Sequence, residues 1–152
     1  MRPVFALFGL VVTLVPSSGS AQEAAQQLLR TVRSIRCQFT TGYIINLATS
    51  PIERDTASGP TVVYDAIDRA QGRARVIGTV GTDDLQVIVG TNTLTFVEMV
   101  PTGTPMVTVV YGQFRRGSNE LLAVTSRHFG HEGPEWPVIT VGQYYGTCRQ
   151  FE

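Results

Sequence analysis

The chain has 152 residues, among which 12 arginines, no lysine and 12 acidic residues give a formal net charge of zero. The absence of lysine excludes Schiff-base chemistry, a pyridoxal phosphate anchor and a P-loop lysine. A charged fraction of 16% without basic excess argues against a disordered chain and against a nucleic-acid-binding domain, so we expect no nucleic-acid partner.

Residues 1–21 are arranged like a secretory signal peptide. Arg2 precedes an apolar run over residues 4–15, and small residues lead up to Ala21. The run is shorter than the roughly 20 residues that a helix needs to span a bilayer. We therefore predict cleavage near Ala21 and export to the periplasm or the extracellular space. Residues 22–152 are predicted to form a single β domain without a transmembrane segment.

The chain contains two cysteines, Cys37 and Cys148. Export would place them in an oxidising compartment, where two cysteines are the smallest set that pairs internally. We predict a disulfide between them. Because Cys37 lies in the first extended segment and Cys148 in the last, this bond would fasten the two ends of the domain together.

The mature chain is predicted to begin with a short helix over residues 22–33, where the apolar residues recur at helical spacing. From residue 34 to residue 47 the period changes to two, which indicates a half-buried strand. Residues 48–60 show no apolar period and are predicted to form a long loop.

Seven further β-branched segments then follow at short intervals, at residues 61–67, 73–80, 85–89, 93–100, 106–114, 120–129 and 138–145. Turn residues separate them, including Asp83 and Asp84, and no helical pattern intervenes. This order predicts an all-β fold, an antiparallel meander of about eight strands. We expect a closed or nearly closed barrel, because pairing of the first and last strands removes both sheet edges. A curved open sheet and a two-sheet sandwich are the alternatives.

Both histidines lie within residues 126–137, which span the turn between the last two predicted strands. His128, His131, Glu132 and Glu135 supply two imidazoles and two carboxylates, a set that could hold a divalent metal ion such as zinc. Ser126, His128 and Glu132 include the residue types of a hydrolase triad, but no Gly-x-Ser-x-Gly motif surrounds them. We predict no catalytic residue and favour a protein that is not an enzyme.

Glu98 interrupts an apolar strand and shares a face with Leu94 and Phe96, so its carboxylate must be paired or open to water. We expect a partner in Arg73 or Arg75. The predicted ligand-binding residues are Glu98, Arg127, His128, Trp136 and Tyr144.

Several strands are apolar on both faces, which indicates that something besides solvent covers the outside of the barrel, in part the helix. The hypothesis that follows is an exported domain that binds a small apolar ligand or an envelope partner protein at an end flanked by residues 48–60 and 129–137. The alternatives are a metal-binding protein and a purely structural envelope protein. No cofactor other than the possible divalent metal is expected.

The segments Ser126-Arg127-His128 and 143–148 (Gln-Tyr-Tyr-Gly-Thr-Cys), together with Cys37 and Phe39, resemble small exported bacterial domains of unknown function. The resemblance extends over most of the mature chain and implies no catalytic residue. In its architecture the meander is similar to lipocalin-like barrels, although the Gly-x-Trp of lipocalins is missing from the first strand. That similarity implies a barrel that holds a ligand.

Overall fold

A computed structural model describes residues 18–78, 81–100, 103–132 and 137–152. These residues form one helix and nine strands. The elements are α1 (Ser18–Thr31), β1 (Ile35–Asn46), β2 (Glu53–Ala57), β3 (Thr61–Asp68), β4 (Arg73–Gly78), β5 (Gly81–Val89), β6 (Thr93–Met99), β7 (Pro105–Phe114), β8 (Leu121–Glu132) and β9 (Pro137–Gln150).

The strands form a closed antiparallel barrel. From β3 to β9 each strand pairs with the next, β1 pairs with β3, and β9 returns to pair with β1. The contact between β1 and β9 runs from Ile35 opposite Gln150 to Asn46 opposite Thr140, with a bulge between Phe39 and Thr41. The predicted all-β meander and its barrel closure are confirmed, and the open sheet and the sandwich are excluded.

The prediction of a long loop over residues 48–60 was wrong, because β2 lies within it. β2 pairs only with β1, Ala57 lying opposite Gly42, and β3 then resumes the same register with Thr61 opposite Gln38. β2 and β3 are therefore one interrupted strand. Most β2 side chains are exposed, so the segment has no alternation of apolar residues from which a strand could be predicted.

The helix lies across one end of the barrel, which we call the helix end. Its buried residues Ala25 and Leu29 belong to the same core cluster as the inward-facing strand residues. The Gln22 side chain donates to the Gly112 carbonyl at the end of β7, and Arg69 after β3 donates to the carbonyls of Leu29 and Val32. The helix was predicted over residues 22–33; it begins at Ser18 and ends at Thr31.

Within the described residues, no helix is both long and apolar enough to cross a membrane.

The two cysteines lie directly opposite each other on the inner faces of β1 and β9 and form the predicted disulfide. Both are fully buried, as are Ile35 and Phe39 on the same strand. The bond thus crosses the contact that closes the barrel, and it links residues 111 positions apart.

The outer face of the barrel is partly apolar, as the two-faced strands predicted. Ile88, Met99 and Tyr111 on β5, β6 and β7 are exposed large hydrophobic residues. The expectation that the helix covers part of this outer face was wrong, because α1 packs into the helix end with the inward-facing residues.

Replacing both cysteines with serine should lower the free energy of unfolding. The chain-entropy model gives a loss of up to about 4–5 kcal/mol for a loop of this length, because the cross-link restricts the unfolded chain. Guanidinium chloride unfolding of the oxidised protein and the double variant measures the difference. Equal unfolding midpoints for the two proteins, or free thiols in the native protein, would contradict a stabilising disulfide between β1 and β9.

Candidate functional site

Polar side chains gather inside the barrel at the end opposite the helix, which we call the far end. β8 ends there at Glu132 and β9 begins at Pro137. Arg127 follows the buried Thr125 on the inner face of β8, and Glu98 follows the buried Phe96 on the inner face of β6. Tyr64, Thr108, Thr125, Glu98 and Arg127 make up what we call the far-end cluster.

Three hydroxyl groups of the far-end cluster form a buried chain. The Tyr64 hydroxyl donates to Oγ1 of Thr108 at 2.7 Å, and Thr108 donates to Oγ1 of Thr125 at 2.8 Å. Stacking of the Tyr64 ring on Phe96, with centroids 4.0 Å apart, fixes the start of the chain. Because each hydroxyl has one proton to donate, the Thr125 hydroxyl has a proton left for an acceptor beyond this chain.

The two charged members of the far-end cluster lie within electrostatic range of each other. Met106 on β7 separates them, since it pairs with Glu98 on one side and with Arg127 on the other. Partial burial raises the pKa of Glu98; the Arg127 charge acts against this, and the Asp83 charge adds to it. The charges of Glu98 and Arg127 also influence the pKa of the Tyr64 hydroxyl, in opposite directions.

Arg127 has a side-chain donor that is unpaired within the described part of the chain. Its Nε is buried and has no hydrogen-bond partner among the described residues. Burying a donor of a charged group without an acceptor is costly, because the group loses its water and gains nothing in exchange. Arg127 and Thr125 therefore present two donors on one face of β8.

The neighbours expected for Glu98 were wrong, because Arg73 and Arg75 alternate with the buried Ala74 and Val76 on β4 and are exposed. Arg75 lies on β4 and pairs with Asp65 at 2.6 Å, and Arg127 is the arginine that acts on Glu98. Asp83 and Asp84 were predicted in a turn, whereas both lie on β5, where Asp83 pairs with the inward-facing Val76 and Asp84 with Arg75. The β4–β5 strands extend further than their apolar residues, which is why the sequence misplaced Asp83.

Tyr144, another predicted ligand residue, forms part of the wall of the site. Its side chain is 5% exposed and lies against three glycines, so that a Cβ atom at Gly42, Gly59 or Gly142 would meet the tyrosine ring. Its cross-strand partner on β8 is Thr125. Tyr144 thus lies beside Thr125 of the hydroxyl chain. Its ring occupies space that is open only because three of its neighbours are glycines.

His128, also predicted to bind ligand, lies on the other face of β8 from Arg127. Its Nδ1 is 3.2 Å from the Pro105 carbonyl oxygen. The structure therefore separates His128 from Glu98, Arg127 and Tyr144, which it brings together.

The metal hypothesis stays a prediction. Glu135 and the predicted ligand residue Trp136 lie outside the described residues, as do the side chains of His131 and Glu132. Among the side chains that are described, no group of three or more potential metal ligands occurs.

No protein-family model, curated protein or solved structure matches the chain. The site must therefore be interpreted from its own geometry.

Sequence analysis selected Glu98, Arg127 and Tyr144 but missed Thr108 and Thr125. Threonine is common on both faces of β-strands, so the sequence does not show that the hydroxyls of these two residues face inwards.

The Tyr64 hydroxyl should make stability fall at alkaline pH. Burial raises its pKa to about 12, while the hydrogen bond to Thr108 acts in the opposite direction. An unfolded tyrosine ionises near pH 10, so the unfolded chain loses this proton first. The stabilisation is complete below pH 10, and about 2–3 kcal/mol is lost as the pH rises to 12.

Urea unfolding between pH 9 and pH 12 measures this loss, without lysine titration to obscure it. Tyr64→Phe should lack the component, while Tyr145→Phe, which removes an exposed phenol, should retain it. The same pH dependence in wild type and Tyr64→Phe would contradict the assignment.

Gly142 should tolerate a methyl group only when Tyr144 is shortened. The three heavy atoms nearest to a Cβ at Gly142 all belong to Tyr144, at 2.7–2.9 Å. We expect Gly142→Ala to cost about 1–3 kcal/mol through overpacking. In a Tyr144→Leu background the same change should be neutral or stabilising, because alanine restricts the unfolded chain. A double-mutant cycle of unfolding free energies measures the coupling, and additive effects would contradict it.

Proposed function

We propose that the protein is an exported barrel that binds a small, largely apolar molecule at its far end and recognises a hydrogen-bond-accepting or anionic group on it. The observation that carries this proposal is the unused Nε donor of Arg127, beside the end of the hydroxyl chain at Thr125. A ligand oxygen between them would satisfy both donors.

The interior suits such a molecule because its polarity changes along the barrel axis. Towards the helix end the interior is apolar, and Leu94, Val110 and Leu121 are fully buried there. A ligand would therefore rest above the stacked rings of Tyr64 and Phe96. Half-buried Ile44 and Met106 offer apolar contact beside the polar groups, as ligand sites commonly do.

Glu98 would regulate the charge preference of the site. In its ionised form it repels an anionic group held by Arg127, whereas in its protonated form it donates a hydrogen bond to that group. Its raised pKa favours the protonated form. Binding of a carboxylate should therefore strengthen as the pH falls towards the pKa of Glu98.

Export is the other part of the proposal. It is supported by the arrangement of residues 1–21 and by the disulfide. The helix is compatible with cleavage near Ala21, since residues 19–21 are exposed and Ala25 is the first buried residue described. The mature chain would keep the helix face that packs into the barrel.

Calorimetric titration with dodecanoate and with dodecanol tests the proposal, because the two probes share an alkyl chain and differ in the head group. Loss of a hydrogen bond to a charged group costs about 1.5–3 kcal/mol, so Arg127→Gln should weaken dodecanoate binding about ten- to a hundredfold. Glu98→Gln, which mimics the protonated acid, should strengthen it. Dodecanol offers only a neutral acceptor, so Arg127→Gln should weaken its binding much less than that of dodecanoate, and Glu98→Gln should change it little.

Arg36→Gln is the matched control, since Arg36 is exposed on β1 and its loss changes the charge equally. If neither probe binds, the ligand-binding proposal fails. If the control weakens dodecanoate as much as Arg127→Gln does, the effect is one of net charge, and the role of Arg127 is refuted.

A further inference from the structure

Three arginines surround a cleft of about 510 Å³ at the helix end. Arg30 comes from the last turn of α1, Arg33 from the segment before β1, and Arg69 from the turn after β3. The backbone fixes this arrangement, because the Ile67 amide donates to the Arg33 carbonyl at 2.9 Å.

Arg69 is held in place by the end of the helix. Its Nη2 donates to the carbonyl oxygens of Leu29 and Val32, each at 2.7 Å. These bonds satisfy carbonyls that the helix itself leaves open, and they offset the negative end of its dipole. The Arg69 side chain is thus preorganised and does not have to be ordered by a ligand.

The arginines around the cleft form no ion pair in the part of the chain that the structure describes. Arg69 Nε is buried without a hydrogen-bond partner, and burial lowers the pKa of its guanidinium. Among the described residues, no acidic group lies within ion-pair distance of Arg30, Arg33 or Arg69.

The acid that lines the cleft, Asp68, is already engaged. Its Oδ1 accepts hydrogen bonds from the amides of Ala70 and Gln71, both at 3.0 Å, and these bonds stabilise the turn after β3. The cleft is therefore lined by three guanidinium groups and one carboxylate, that of Asp68, which accepts hydrogen bonds from backbone amides. The cleft is cationic in a chain whose formal net charge is zero.

We propose that this cleft binds an oxyanion of the phosphate type, with the guanidinium groups of Arg30 and Arg33 as flexible charged donors beside the fixed positive charge of Arg69. Guanidinium groups match tetrahedral oxyanions because they offer several donors in a plane. The anion would be a free phosphate or the phosphate of a lipid head group, since both present the same oxygens. This site does not depend on the proposed ligand site at the far end.

The first experiment is calorimetric titration with sodium phosphate at constant ionic strength maintained with sodium chloride. Arg30→Gln/Arg33→Gln removes the two exposed arginines, while Arg69, which holds the helix, is left intact. Loss of charge-assisted hydrogen bonds should weaken phosphate binding about tenfold or more. Arg36→Gln/Arg116→Gln is the matched control, because it removes two exposed arginines elsewhere and should bind phosphate like wild type.

Sedimentation with vesicles of phosphatidylglycerol and phosphatidylcholine distinguishes the source of the anion. Calorimetric binding of free phosphate that the cleft variant loses supports a soluble anion. Vesicle binding that the cleft variant loses, with little affinity for free phosphate, supports a lipid head group. The proposal is overturned if neither probe binds, or if the control pair loses binding to the same degree as the cleft pair.

Discussion

The contact between β1 and β9 decides which residues can form an interior at all. It extends along most of both strands and carries the disulfide on its inner face. Without it, β9 would be an open edge, and inward-facing Phe39 and Tyr144 would face water. The bulge in β1 belongs to the same contact: beyond it, Gly42 faces inwards and makes room for the Tyr144 ring. The β1–β9 contact thus both closes the barrel and shapes the interior at the far end.

The polarity of the barrel interior changes along the barrel axis. At the helix end, Ala25 and Leu29 of the helix complete an apolar core, and Arg69 secures the last turn. At the far end, the hydroxyl chain and two charged side chains occupy the interior. Buried polar groups raise the cost of folding unless they are satisfied, so proteins commonly retain them for function. The proposed ligand site rests on the Arg127 donor that has no partner among the described residues.

The sequence predicted the strands whose burial alternates, because alternation is itself the result of a closed sheet with one buried face. It could not predict β2, which is exposed on nearly every residue. It identified Glu98 as a charge in an apolar strand and selected Arg127 as a ligand-binding residue. It could not show that the two are neighbours, because that depends on the pairing of Met106 on β7 with both of them. Thr108 and Thr125 were missed because their role depends on the hydrogen bond between their hydroxyls, which joins two strands and is visible only in the structure.

The most direct test of the central claim, that the far end recognises a polar group of a ligand, is to map the binding of dodecanoate by chemical-shift changes in the backbone amides. The account predicts the largest changes at Glu98, Met106, Thr125 and Arg127, which face the far end. Changes confined to outward-facing residues such as Ile88 and Tyr111 would contradict it, because the alkyl chain would then bind the outside of the barrel.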